Sequence, residues 1–120
     1  MTPEIEKNWK QVLEKLNTQF GKDIDLQAIL FLIGVQELGK GYQQFSKTQK
    51  VDIMHIAICT LLEQYDYYLY EGKDADNWPH WSLNEKLPPL EPYLQEQLIQ
   101  QAIINYFEKQ ESLEINLLNQ

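Results

Sequence analysis

The segment LQAILFLIGVQEL, residues 26–38, constrains this chain more than any other. Wound as a helix it is apolar nearly all round, so its neighbours must cover it on every side. Asp25 before it can cap the helix, with Ile24 and Ile29 at the two ends of a hydrophobic staple. Gly39 and Gly41 end it. A strand over AILFLI is the alternative, but no second strand offers itself for pairing. The segment is therefore read as the central helix of the fold.

Other helices are expected around it. Thr2-Pro3-Glu4 is a helix start: Thr2 can cap, Pro3 suits the first turn, and Glu4 and Glu6 favour the positive end of the dipole. Ile5, Trp9, Val12, Leu13, Leu16 and Phe20 then form one apolar stripe that Gly21 stops. Ser46-Lys47-Thr48-Gln49 reads as a capping box. The helix it opens is expected to run to Gly72, because Ile53, Met54, Ala57, Ile58, Leu61, Leu62, Tyr65, Tyr68 and Leu69 keep to one broad apolar face. Asp52, His55, Cys59, Glu63 and Asp66 gather in a narrow stripe opposite. Residues 73–91 show no clean period and are punctuated by Asp74-Ala75-Asp76-Asn77, Pro79 and Pro88-Pro89. Pro92 suits the first turn of a last helix, whose stripe is Leu94, Leu98, Ile99, Ala102, Ile103, Tyr106 and Phe107.

The expected fold is thus all-α: a small helical bundle of four to five helices, with one long aromatic and proline-rich loop before the last helix. A chain of 120 residues suits one domain over 1–120. Residues 110–120 either extend the last helix or form a flexible or partner-bound tail.

Charge narrows the function classes. Ten lysines face eighteen carboxylates, arginine is absent, and the net charge is −8. Nucleic-acid binding draws its affinity from neutralised phosphates, so none is expected here. The longest apolar run, 28–33, is six residues, far short of a membrane span. The start MTPEIEKNWK lacks the basic and apolar regions of a signal peptide, and the single Cys59 can form no internal disulfide. A cytoplasmic protein with no membrane or nucleic-acid partner is the expectation.

The stretches FLIGVQELGKG, VDIMHIAIC and NWPHW, in this order, resemble a family of small uncharacterised bacterial all-helical proteins. The resemblance spans roughly residues 28 to 107. It implies one compact helical domain and brings no activity, cofactor or substrate, so the chemistry is read from the residues.

His55 and Cys59 stand one helical turn apart, a spacing at which imidazole and thiolate can share a soft metal. Asp52 and Glu63 flank them, and His80 is the natural residue to complete such a set. Against this stands a plainer reading, a wet helix face with a hydrogen-bonded histidine and an inert cysteine, since HExxH and paired CxxC motifs are both missing. No cofactor is expected; zinc or a similar divalent metal is the alternative. Cys59 as a nucleophile would need a base, which His55 could supply, but it sits mid-helix, away from any helix N-terminus that would lower its pKa. Glu37 falls at the helical angle of Leu26, Leu30 and Ile33. It either reaches water past Gly39 and Gly41 or faces a pocket as a general base or ligand anchor. GVQELGKG is no phosphate loop, because its glycines end a helix instead of preceding one.

The stretch NWPHW holds two of the chain's three tryptophans. It is expected to fold back as an aromatic lid on the third helix, where Tyr67, Tyr70, Trp78, His80 and Trp81 would form a ligand or partner surface. The expected function is a non-enzymatic interaction module that binds a protein partner or itself, with homodimerisation through the last helix and Leu113, Ile115, Leu117 and Leu118. Its rival is a metal- or small-ligand-binding protein or enzyme with a site between the third helix and residues 73–91.

Overall fold

The computed structural model describes residues 3–21, 23–41, 43–84 and 90–118, with the side chains of the last helix as far as Gln110. Among these are four helices and one two-stranded sheet: α1 (Pro3–Phe20), α2 (Leu26–Leu38), α3 (Lys47–Glu63), β1 (Tyr68–Lys73), β2 (Pro79–Leu83) and α4 (Pro92–Leu118). The contacts divide the elements into two units, α1 with α4, and α2 and α3 with the hairpin.

In the first unit, α1 is amphipathic. Leu16 is buried, and Ile5, Trp9, Val12 and Leu13 are half-buried at the three- and four-residue spacing of one face. Gly21 closes the helix in the left-handed region at φ 71, its N–H donating to the Asn17 carbonyl at 2.8 Å. Thr2, the expected cap, lies outside the described residues. In α4 the Glu91 carbonyl accepts from the amides of Leu94 and Gln95, so Pro92 enters the first turn without losing a needed donor. Ala102, Ile103, Ile104 and Tyr106 are buried. The helix continues to Leu118, which makes 110–118 an extension of α4; the side chains of Leu113, Ile115, Leu117 and Leu118 lie outside the described residues.

In the second unit the caps form as their residues dictate. The Asp25 carboxylate accepts from the Ala28 amide at 2.8 Å, and Gly39 takes the left-handed C-terminal position at φ 75. Ser46 and Gln49 close a reciprocal capping box, with bonds of 3.2 and 2.9 Å. Covered nearly all round, α2 buries Ile29, Leu30, Ile33, Gly34, Val35 and Leu38. It approaches α3 closely at Gly34, where an added Cβ would land on the Ile53 carbonyl oxygen and 2.6 Å from the Ile53 Cγ2. Val35, Leu38, Ile53 and Ile56 form the cluster on which Phe31, Phe45, Trp78 and Trp81 pack. Among the described residues no helix is long and apolar enough to cross a membrane.

Two expectations are corrected. The fold is mainly helical but not all-α, because residues inside the expected loop pair with the end of the expected third helix as a hairpin. And α3 stops at Glu63, not Gly72. Beyond it the Asp66 amide donates to the Glu63 carbonyl at 3.0 Å and the Tyr67 amide to the Leu62 carbonyl at 3.3 Å, while Asp66 sits at φ 63. That is the Schellman termination, with aspartate in the left-handed place usually given to glycine. Tyr65, Tyr68 and Leu69 therefore lie past the helix, and Asp66 leaves the polar stripe.

The hairpin is antiparallel, with Tyr68 opposite Leu83, Leu69 opposite Ser82 and Tyr70 opposite Trp81. Gly72 then pairs with His80, which leaves Glu71 as the extra residue of a bulge; Gly72 supplies the required φ of 96. Pro79 opens β2, where its missing N–H costs the ladder little.

Candidate functional site

A cleft of about 410 Å³ lies between α3 and the hairpin, wholly inside the second unit. Its helical wall is Gln49, Asp52, His55 and Ile56, spaced so that one face of α3 carries them all. Ile56 is buried and backs this wall with the apolar cluster, while Asp52 and His55 are exposed. The opposite wall is the hairpin turn with the first half of β2: Asp74 and Asp76, then Trp78 to Trp81.

The turn is built by Asp74. Its Oδ1 accepts from the amides of Asp76 at 2.9 Å and Trp78 at 3.0 Å, and the Asp74 amide donates to the Trp78 carbonyl at 3.0 Å. Its Oδ2 accepts from the His80 Nε2–H at 2.7 Å. The His80 bond, then the Trp78 amide, hold the Asp74 carboxyl below the usual carboxylate range. Asn77 takes φ 65, a left-handed position asparagine tolerates. This is the short polar side chain folding its own backbone.

Both indoles are fixed from behind. Trp81 Nε1–H donates to the Glu63 carboxylate at 3.0 Å, and Tyr70 stands edge-on to Trp81 with ring centres 5.4 Å apart. Lys40, just past the end of α2, places its Nζ 5.4 Å from the Trp78 ring centre and donates to the Asp76 carbonyl at 2.6 Å. An ammonium at that range over an indole is a cation–π pair.

Of the residues singled out in the sequence, the structure brings Asp52, His55, Trp78, His80 and Trp81 around one cleft. Tyr70 stands beside it, half-exposed, and Glu63 anchors Trp81. Cys59 lies behind His55, fully buried, with its sulfur 3.4 Å from the His55 Nε2. Burial first, and the Glu63 carboxylate second, push the thiol up to about 11. Burial thus disfavours the thiolate that nucleophilic attack would use, and the buried sulfur does not line the cleft. Glu37 is half-buried in the last turn of α2 and does not line the cleft; neither does Tyr67. Among the described residues no three His, Cys, Asp or Glu side chains stand where they could hold one metal ion. His55, Cys59 and His80 do not form such a set: His80 is turned to Asp74 and Cys59 faces the interior.

Sequence reasoning missed Asp74, Asp76, Gln49 and Lys40. The signal was present in Asp74-Ala75-Asp76-Asn77, which read as punctuation only; aspartate two residues before an amide it can cap is a turn builder.

No family profile, curated protein or solved structure matches the chain, so the cleft is read from its own geometry.

Proposed function

We propose that the protein is a non-enzymatic binding module that engages a protein partner through the cleft between α3 and the hairpin. The observation that carries this reading is the cleft itself: two anchored indoles, a half-exposed tyrosine beside them and a buried isoleucine as floor. Large rings with one polar end are what recognition surfaces use to gain contact area at small entropic cost.

The test is a titration of isotope-labelled protein with short host peptides, Gly-Gly-X-Gly-Gly, in which X represents each side-chain class. At least one class is expected to shift the Trp78 and Trp81 indole N–H resonances saturably, with a dissociation constant on the order of millimolar, as single side chains allow. If no peptide moves those two resonances, the cleft is not a recognition site and the reading falls.

A further inference from the structure

Resting on that reading, we infer that the side chain the cleft recognises is a cation of the lysine type, an alkylammonium. Two separate observations lead there. The first is the balance of the walls. Asp52, Asp74 and Asp76 line the cleft and no lysine does. Asp74 is committed to the turn and to His80, but no hydrogen bond or ion pair among the described residues engages the carboxylates of Asp52 or Asp76. One comes from α3 and the other from the turn, so a charge between the walls faces both. An anion would meet two open carboxylates, and the ammonium beside them, Lys40, is already engaged by the Trp78 ring and the Asp76 carbonyl.

The second observation is that this wall already holds an ammonium of the chain's own. Lys40 Nζ lies over the Trp78 ring and donates to the Asp76 carbonyl. The pairing uses an indole face for the charge and an oxygen for the N–H donors, the two things an alkylammonium asks of a site. Lys40 does not itself line the cleft, which leaves the carboxylates of Asp52 and Asp76 open to a second ammonium of the same chemistry. Trp81, Asp52 and Asp76 would offer an incoming ammonium what Trp78 and the Asp76 carbonyl offer Lys40. The net charge of −8 adds a field that draws such a partner in.

The experiment compares four probes on the full chain by indole N–H shifts: the lysine host peptide, the same peptide with Nε-acetyl-lysine, a leucine host peptide, and n-butylammonium. The expected result is saturable binding of the lysine peptide and of n-butylammonium, with the acetylated and leucine peptides at least about fivefold weaker. Affinity for the lysine peptide should fall on raising salt from 20 to 300 mM, roughly as screening of exposed charges requires. Asp52→Asn and Asp76→Asn should each weaken it by about threefold, the size expected of an exposed charge pair, with melting temperature unchanged. Equal binding of the lysine and acetyl-lysine peptides would overturn the inference, and so would unchanged affinity in both variants. Binding of the leucine peptide alone would overturn it while leaving the cleft a recognition site. Silence from all four probes, and from every other side-chain class, would remove both readings. If n-butylammonium binds as tightly as the lysine peptide, the ammonium site stands and the protein partner gives way to a small amine.

Discussion

The two walls of the cleft are held by different physics. The α2–α3 pair is fixed by shape: Ile29, Ile33, Leu38, Ile53 and Leu61 are fully buried, and the backbones close to contact at Gly34. Each such side chain contributes about 1.5–3 kcal/mol relative to an exposed one. The hairpin buries only Pro79 fully among its strand residues. Besides the packing of Trp78 and Trp81, it is fixed by polar bonds, five of them centred on Asp74 and others from Asn84 to the backbone of Asp66 and Tyr67. Apolar packing gives one stiff wall that responds to volume. A turn held by one carboxylate gives a wall that responds to charge and opens locally at lower cost. The cleft between them therefore has one fixed wall and one adjustable wall.

The largest effect should come from breaking the stiff wall. Gly34→Ala in an ordinary helix would gain about 1 kcal/mol from propensity. Here the new methyl meets the Ile53 carbonyl, so a loss of about 3 kcal/mol is expected from overpacking against backbone. Urea denaturation decides the sign. A more stable variant would mean that α2 and α3 do not close at this point and that backbone contact does not fix this wall.

The same contrast decides what could be read from the sequence. Helix starts were legible because a cap is a local event: Asp25, Ser46 with Gln49, and Pro92 each act within one turn of their own position. The largely buried α2 was legible because apolar residues on all sides leave one kind of environment. The end of α3 was not. Tyr65, Tyr68 and Leu69 continue the helical spacing of Leu61 and Leu62, while Tyr68 and Tyr70 also fit strand alternation, so the period serves both structures. What separates them is Asp66 at φ 63, an uncommon residue for a left-handed helix terminus and silent to a search for glycine. The partner strand is short, starts with proline and pairs across a bulge, which hides its alternation. For the cleft, the aromatic half was visible as NWPHW. The acidic half depended on the turn that brings Asp74 and Asp76 opposite Asp52, and that turn is a product of the hairpin.

The adjustable wall should fail on acidification. The native Asp74 carboxyl is held below its ordinary range, so the stability it lends the hairpin is complete above the unfolded value and is lost as pH falls through the lower folded value. Between pH 5 and pH 3, amide exchange at Asp76 and Trp78, corrected for its intrinsic pH dependence, should become less protected while the amides of α2 and α3 hold. Asp74→Ala should produce the same pattern at neutral pH. Loss of protection in α2 and α3 together with the hairpin would show one cooperative wall instead of two.

The smallest effect tests how the walls are joined. Trp81 touches α3 in two ways, by packing on the Val35–Ile56 cluster and by donating its Nε1–H to Glu63. Trp81→Phe keeps much of the first contact and deletes the second. The bond is exposed, and water competes for both partners, so its net worth should be about 0.5–1 kcal/mol. A double-mutant cycle with Glu63→Ala isolates it, because each single change removes the same bond. A coupling in that range means the tryptophan is held by its hydrogen bond as well as by packing. No coupling, with the full loss appearing only in Trp81→Ala, would mean that apolar contact alone seats the ring. The adjustable wall would then depend on the same packing forces as the stiff one at the point where they meet.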